Sequence, residues 1–380
     1  MNFETAKTFL DYLFEHRLDS DFDFSEINSP GLIIEFIGGE PLMEVSLIHK
    51  IIDYFEYKLL EVPESTWNIY HIYSFSTNGV LYFDPEFQEL VKEYGRMFSI
   101  GVTIDGDKKL HDSCRVFADG SGSYDKAIEA ALHFAEFAHS FNTKITVSPE
   151  NVKYVANGVI DLISKGFTEV NINCAYEEGW QLEHAQELYN QLKKISDWIY
   201  EENLYDYIYI ALLDVTKYTN KSLDKNWCGC SDCMMAIDYE GKIYPCIRFM
   251  KSSLGNSIEP FQIGNVNDGL YTNEIEQSRK IEMDALSKGA AITNVKEECL
   301  TCPIKSCCSW CSAYNYQYYG DISKRTTFIC QMHKAAALGS LYCAKINNDY
   351  DSYIKNNVTK EIALEIISEE EWENLQWKEE

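Results

Sequence analysis

The feature that most constrains this 380-residue chain is the crowding of its cysteines between residues 228 and 330. Cys299, Cys302, Cys308, Cys311 and Cys330 follow an upstream set of Cys228, Cys230, Cys233 and Cys246, and Cys307 stands beside Cys308. Thiolates at such short spacings gather around soft metal centres, and there are enough here for two. Disulfides are the competing use. Against them stand the odd count of thirteen cysteines and a first segment, MNFETAKTFLDYLFEH, that lacks the basic-then-apolar order of a secretion signal. Metal ligation in a reducing, cytoplasmic setting is the expectation.

Charge narrows the partners. Sixty Asp and Glu against 33 Lys and Arg give a net charge of −27. That surface repels phosphate backbones and anionic lipid, so neither nucleic acid nor membrane is an expected partner. No apolar run approaches the roughly 18 residues of a membrane span. Single cores stop growing near about 250 to 300 residues, so a chain of this length predicts two domains.

The first half alternates strand and helix signals. Phe3, Ala6, Phe9, Leu10, Leu13 and Phe14 recur at helical spacing behind a candidate cap, Asn2. GLIIEFIGGEP (31–41) reads as an apolar strand ending in a glycine turn, IYHIYSFSTNG (69–79) as strand then polar turn, and FSIGVTIDG (98–106) repeats the pattern. TKITVSP (143–149) and TEVNINC (168–174) complete five strands, with helices around residues 47–52, 126–138, 151–164 and 182–200. Strand–loop–helix repetition predicts a parallel sheet whose functional loops share the strands' C-terminal ends. From about residue 216 the texture changes to short elements and cysteines; 331–345 reads as helix, and the acidic tail from 346 as a solvated helix or frayed end.

The runs F-I-G-G-E-P-L, S-T-N-G and T-I-D-G, then H-D-S-C-R and G-S-G-S-Y-D, resemble a radical S-adenosylmethionine (SAM) enzyme over residues 1–340. The later cysteines resemble its SPASM extension, which holds two auxiliary 4Fe–4S clusters. Within the superfamily the chain is most similar to maturases of ribosomal peptides, including those acting on Cys-rich, CXXX-repeat peptides. The implied architecture is α/β: a partial (β/α)6 barrel lacking its first strand over 1–215, a SPASM domain over 216–345, and an acidic tail over 346–380. The glycines of the first loop, Gly38 and Gly39, allow close backbone approach to a ligand. Glu40 offers a carboxylate to the SAM ammonium, Pro41 stiffens the turn, and Arg115 can pair with the SAM carboxylate in a forked geometry. Thr103 offers a hydroxyl where the family commonly has Ser. Asn78 and Asp105 complete the implied cofactor contacts, although both suit plain turn residues, as does Thr77.

The family's cluster pattern is C, nine to fifteen residues, G-x4-C, then C-x2-C-x5-C-x3-C and a last C. Gly241 stands four residues before Cys246, and either Cys228 or Cys230 fits upstream. Cys299-x2-Cys302-x5-Cys308 matches, Cys308-x2-Cys311 is one residue short, and Cys307 would give x4 and x3 instead. By this resemblance Cys299, Cys302, Cys308 and Cys330 hold one cluster and Cys228, Cys246 and Cys311 the other. The fourth position of the second is Cys230, Cys233 or open to a substrate thiolate. Spacing alone does not separate these clusters from two zinc tetrathiolates. Cys114, Cys174 and Cys343 are expected to be buried small hydrophobes, with Cys174 a candidate to face substrate.

A radical SAM enzyme also needs a C-x3-C-x2-C loop for the cluster that chelates SAM, and the chain contains no such run. The expectation is a truncated relative, inactive alone in SAM cleavage, whose strand 32–37 lacks a neighbour. The implied function is thioether cross-linking of a Cys-rich precursor peptide, with an electron donor such as a flavodoxin or ferredoxin. Two rivals remain. One is an anaerobic sulfatase maturase, which places an Asp directly after the G-x4-C cysteine, where this chain has Ile247. The other is a non-catalytic, metal-bound peptide scaffold.

Overall fold

The computed structural model describes residues 1–136, 142–176, 179–214, 228–230, 233–287, 297–305 and 308–377. Six parallel strands lie in chain order in one sheet: β1 (Leu32–Phe36), β2 (His71–Thr77), β3 (Phe98–Thr103), β4 (Asn142–Val147), β5 (Glu169–Cys174) and β6 (Tyr209–Ile210). Helix α1 (Phe3–His16) precedes them. The connections carry α2 (Val45–Glu61), α3 (Pro85–Tyr94), α4 (Lys108–Cys114), α5 (Tyr124–Ala135), α6 (Val155–Ser164) and α7 (Leu182–Glu201). The count of five strands is corrected to six. The added strand has only two residues, too few for alternation to register, and pairs Val170 with Ile210. β1 is an edge strand, with β2 as its partner from Leu32↔His71 to Phe36↔Phe75.

Alternation gives the sheet two unlike faces. Tyr73, Phe75 and Thr77 of β2 and Phe98, Ile100 and Val102 of β3 are buried. They share one core with Ile52 and Phe55 of α2, Phe87 and Leu90 of α3, and Leu188 and Leu192 of α7. Each such aliphatic or aromatic side chain contributes about 1.5–3 kcal/mol by leaving water. The opposite face is mainly polar: Glu35, Ser76, Ser99, Lys144 and Asn173 are exposed on it, with Ile33 and Ile72 toward its β1 edge. Parallel sheets ordinarily bury both faces, so an open polar face is where a ligand is to be sought.

A second core lies around β7 (Ala236–Ile237), β8 (Lys242–Tyr244), β9 (Gly264–Asn265) and β10 (Gly269–Leu270), an antiparallel sheet. Helices α8 (Lys251–Leu254), α9 (Glu274–Ser287), α10 (Glu297–Thr301) and α11 (Ser312–Tyr319) belong to the same region. Phe249, Phe261 and Tyr316 form its aromatic centre, with ring centroids 5.0 to 5.9 Å apart. The opening helix α1 bridges the two cores through Phe9, and its Tyr12 lies against Gly269.

Helix α12 (Cys330–Ile346) leaves the cysteine-rich region and packs on α7, where Gly339 accommodates Leu192. The tail forms α13 (Tyr350–Lys355), α14 (Lys360–Leu364) and α15 (Glu369–Leu375). It is not the solvated end its charge suggests, because Ile362, Ile366, Trp372 and Leu375 are buried in the main core. The acidic residues Glu369, Glu370 and Glu371 occupy the first turn of α15, where the helix dipole favours them. No described helix is long and apolar enough to cross a membrane.

Candidate functional site

Because the main sheet is parallel, the loops after β1, β2 and β3 meet at one rim. Glu40 joins two of them. Its carboxylate accepts from the Thr77 hydroxyl at 2.6 Å, the Asn78 backbone N–H at 2.9 Å and the Leu42 N–H at 3.1 Å. Pro41 is buried at the first position of the short 3-10 turn that Glu40 caps. Gly38 and Gly39 are exposed, and a Cβ at either would meet nothing within 4 Å, so the backbone there stands open to a ligand. The Asn78 side-chain oxygen accepts from the Val80 N–H at 2.9 Å, which makes it the turn residue of the plainer reading. Thr103 ends β3 on the open face, half-buried, with no bond to its hydroxyl among the described residues.

Asp105 and Arg115 are partners. Arg115 Nε donates to Asp105 Oδ2 at 2.5 Å, and Asp105 Oδ1 accepts from the Thr146 N–H at 3.4 Å, linking the β3 loop to β4. Among the described residues the terminal guanidinium nitrogens of Arg115 have no acceptor, so they stay available to a carboxylate ligand. Behind the pair sits a residue the sequence reading passed over. His111 is buried, and its Nδ1 accepts from the Asp105 N–H at 3.2 Å. Nδ1 is therefore unprotonated, Nε2–H donates to the Ser123 hydroxyl at 3.1 Å, and that hydroxyl donates to the Arg115 carbonyl at 3.0 Å. Burial, followed by the nearby Arg115 charge, lowers the His111 pKa and keeps the ring neutral, as this chain of bonds requires. H-D-S-C-R and G-S-G-S-Y-D are one unit, since Asp112 accepts from the Tyr124 N–H at 2.9 Å.

The cysteines form two groups. In the first, Cys299 and Cys302 lie at α10 and the turn after it, and Cys330 opens α12. Cys308, Cys302 and Cys299 all raise the Cys330 pKa electrostatically, although burial is the larger cause and takes it to about 11. Burial also raises Cys308, opposed by the Arg325 and Lys334 charges. The four thiols of the predicted set thus share one volume. Arg325 donates to the Cys308 carbonyl at 3.0 Å and fixes that loop.

The second group forms around Cys230, which is buried with its sulfur 2.9 Å from the Ser312 hydroxyl. Its thiol donates to Cys228, which lowers the Cys228 pKa to about 6, and it also lowers Cys246. Cys311 feels the Cys246 charge in turn. Gly241 explains the G-x4-C spacing: at φ +80° it closes the β7–β8 turn, and β8 then delivers Cys246. Cys230, rather than Cys233, stands among the other three. Cys233 is exposed, with its sulfur 3.5 Å from the Gly229 carbonyl. Cys307 lies outside the described residues.

Of the remaining cysteines, Cys114 departs from the expected burial, while Cys174 is buried as expected and does not face substrate. Cys114, the last residue of α4, is exposed, not buried, with its sulfur against the Leu110 and His111 carbonyls. Cys174 is buried on the helix-packed face, in register with Val147, so it does not face the open side; burial raises its pKa to about 12. Cys343 is buried as expected.

Each group offers four thiols to a soft metal centre, the donor set of a 4Fe–4S cluster and equally of a tetrathiolate zinc. In the second group Cys230 bonds to both Cys228 and Cys246.

No protein-family profile matches the chain. In sequence it is 25% identical over 312 residues to a cysteine-type anaerobic sulfatase-maturating enzyme of Clostridium perfringens, covering 79% of this chain and 78% of that one. It is 23% identical over 324 residues to the radical SAM cyclopropyl synthase TigE of Paramaledivibacter caminithermalis, covering 81% of this chain and 60% of that one. The solved structure of native anSMEcpe with bound AdoMet and Cp18Cys peptide matches with a TM-score of 0.67 at 18% identity, over 92% of this chain and 90% of that one. Streptococcus suis SuiB bound to precursor peptide SuiA matches with a TM-score of 0.51 at 15% identity, over 85% of this chain and 68% of that one. The chain is thus similar in fold to anSMEcpe and, over about four fifths of its length, similar in sequence to a sulfatase-maturating enzyme and to a radical SAM cyclopropyl synthase.

Proposed function

We propose that this chain is the SAM-binding and auxiliary-cluster body of a peptide maturase that cross-links a Cys-rich ribosomal peptide through thioethers. The observation that carries the reading is the coexistence of two thiol groups with a rim where the GGEP, STNG and TIDG loops are bonded together. Cys299, Cys302, Cys308 and Cys330 would hold one 4Fe–4S cluster. Cys228, Cys246 and Cys311 would hold the other, with Cys230 as fourth thiolate, which leaves no open iron for a substrate sulfur. Gly38, Gly39 and Arg115 would hold SAM, Glu40 and Asp105 positioning them, with Thr103 beside them on the open face. When bound, SAM supplies a hydrogen-abstracting radical and the clusters supply electron transfer. The protein binds the peptide along the polar face, orients the reacting carbon and thiol, and keeps water from them.

The 380 residues contain no C-x3-C-x2-C run, so the ligands of a SAM-chelating cluster would have to come from outside them. The chain alone should release no 5′-deoxyadenosine from SAM under strong reductant. Supplied with those ligands and a Cys-rich precursor peptide, it should remove two hydrogens per cross-link, read by mass spectrometry. SAM turnover that modifies the cysteine of a sulfatase-type peptide without forming a cross-link would replace this reading. That second reading is favoured by the Clostridium perfringens relative. It is opposed by Ile247, which offers no proton acceptor where that chemistry places an Asp.

A further inference from the structure

The loop after Cys246 carries a side chain that the site described above leaves unused. Arg248 is exposed, with its guanidinium carbon 4.4 Å from the Tyr314 ring centroid. Tyr314 packs in turn on Tyr176 at 5.5 Å and on Phe328 at 6.1 Å. Tyr176 lies two residues beyond the end of β5, at the same end of the sheet as the GGEP, STNG and TIDG loops. The stack therefore ties Arg248 to the rim of the open face.

Of the six arginines, Arg17, Arg115, Arg279 and Arg325 each donate to a protein oxygen. Arg96 and Arg248 have no acceptor among the described residues, and of these two Arg248 is the one held against a ring. Sixty acidic residues surround 33 basic ones in this chain, so a rim arginine without a carboxylate partner is unusual. A guanidinium held over an aromatic face gains a cation–π contact and keeps N–H donors for a planar acceptor. The stack also restricts the side chain before any ligand arrives, which lowers the entropic cost of binding. Ile247, 37% exposed, adds an apolar contact beside it.

We propose that Arg248 determines specificity by receiving a carboxylate of the substrate peptide, from an Asp or Glu side chain next to the residue to be modified. The inference rests on the peptide-maturase reading. It makes the substrate a peptide carrying an acidic residue at a fixed offset from its reacting cysteine, while the −27 net charge disfavours peptides that are acidic throughout.

The test uses iron–sulfur-loaded full-length protein and three fluorescein-labelled peptides of about a dozen residues, each with one cysteine. One has Asp beside the cysteine and an amidated C-terminus, one has Asn there with the same amide, and one has Asn with a free terminal carboxylate. Fluorescence anisotropy should show the Asp peptide binding roughly tenfold tighter than the amidated Asn peptide, as one charge-assisted fork predicts. The ratio should fall to about one in Arg248→Gln and in Tyr314→Leu, and only part of it should return in Arg248→Lys, since a point charge lacks the fork. Unchanged iron content and circular dichroism establish that each variant is folded. Equal binding of the Asp and amidated Asn peptides, or a ratio that survives Arg248→Gln, overturns the proposal and leaves the maturase reading standing. A preference for the free C-terminus alone overturns the side-chain assignment. Failure of every peptide to bind the wild type overturns the maturase reading and this inference with it.

Discussion

At the scale of single residues, the rim depends on close contacts that only particular side chains permit. A Cβ on Gly122 would stand 1.9 Å from the Asp112 carboxyl carbon. Asp112 would have to abandon the Tyr124 N–H, and with it the segment behind Arg115. Gly122→Ala should therefore destabilise the protein by about 1–3 kcal/mol, an overpacking cost readable in thermal unfolding. Thiol reactivity follows burial and charge. With Cys228 lowered to about 6, metal-free protein should alkylate fastest there at pH 7, and the rate should fall as pH drops below 6 and the thiolate gains a proton. Cys174, raised to about 12 by burial, should stay unlabelled until the protein unfolds. Peptide mapping after iodoacetamide checks both, and cluster loading should then protect Cys228. The sequence held Glu40, Asp105 and Arg115 in plain view as loop residues. It could not show that Glu40 and Asp105 spend their carboxylates on neighbouring loops, because those partners are set by which strands lie side by side. His111 carried a signal, as the first residue of the H-D-S-C-R run, yet its role needs the folded loop.

Among the elements, long ones were legible and short or shared ones were not. Strands β1 to β5 stand where the apolar and alternating runs predict them, whereas β6 has two residues and no pattern of its own. The polar alternation in His71–Thr77 and Asn142–Val147 was present in the sequence, but its meaning, an open face, depends on what covers the sheet. The acidic tail misled for a related reason: its charge is on the outward turn of α15 while Trp372 and Leu375 face the core. Trp372→Ala should cost about 3–5 kcal/mol, the usual loss for a large buried ring, and a small change in melting temperature would show the tail to be peripheral. The edge strand β1 gives the opposite expectation. Ile33 is 67% exposed on it, so Ile33→Lys should alter stability by no more than about 0.5 kcal/mol while reducing aggregation through the unpaired edge. Light scattering during heating separates the two effects.

For the whole molecule, one arrangement unites the chemistry. A main core built on the parallel sheet and a smaller core around Phe249, Phe261 and Tyr316 are joined by α1, and Tyr176 meets Tyr314 between the rim and the cysteines. The spacing of the cysteines predicts two metal centres, and the structure places the thiols in two groups, with Cys230 in the second. A metal bound by these thiols would displace their protons and would couple folding to loading. The most direct test is anaerobic iron, zinc and sulfide analysis of the purified chain, with Mössbauer and EPR spectra. The account predicts about eight iron and about eight sulfide per chain, in two 4Fe–4S clusters. Stoichiometric zinc without sulfide would contradict it.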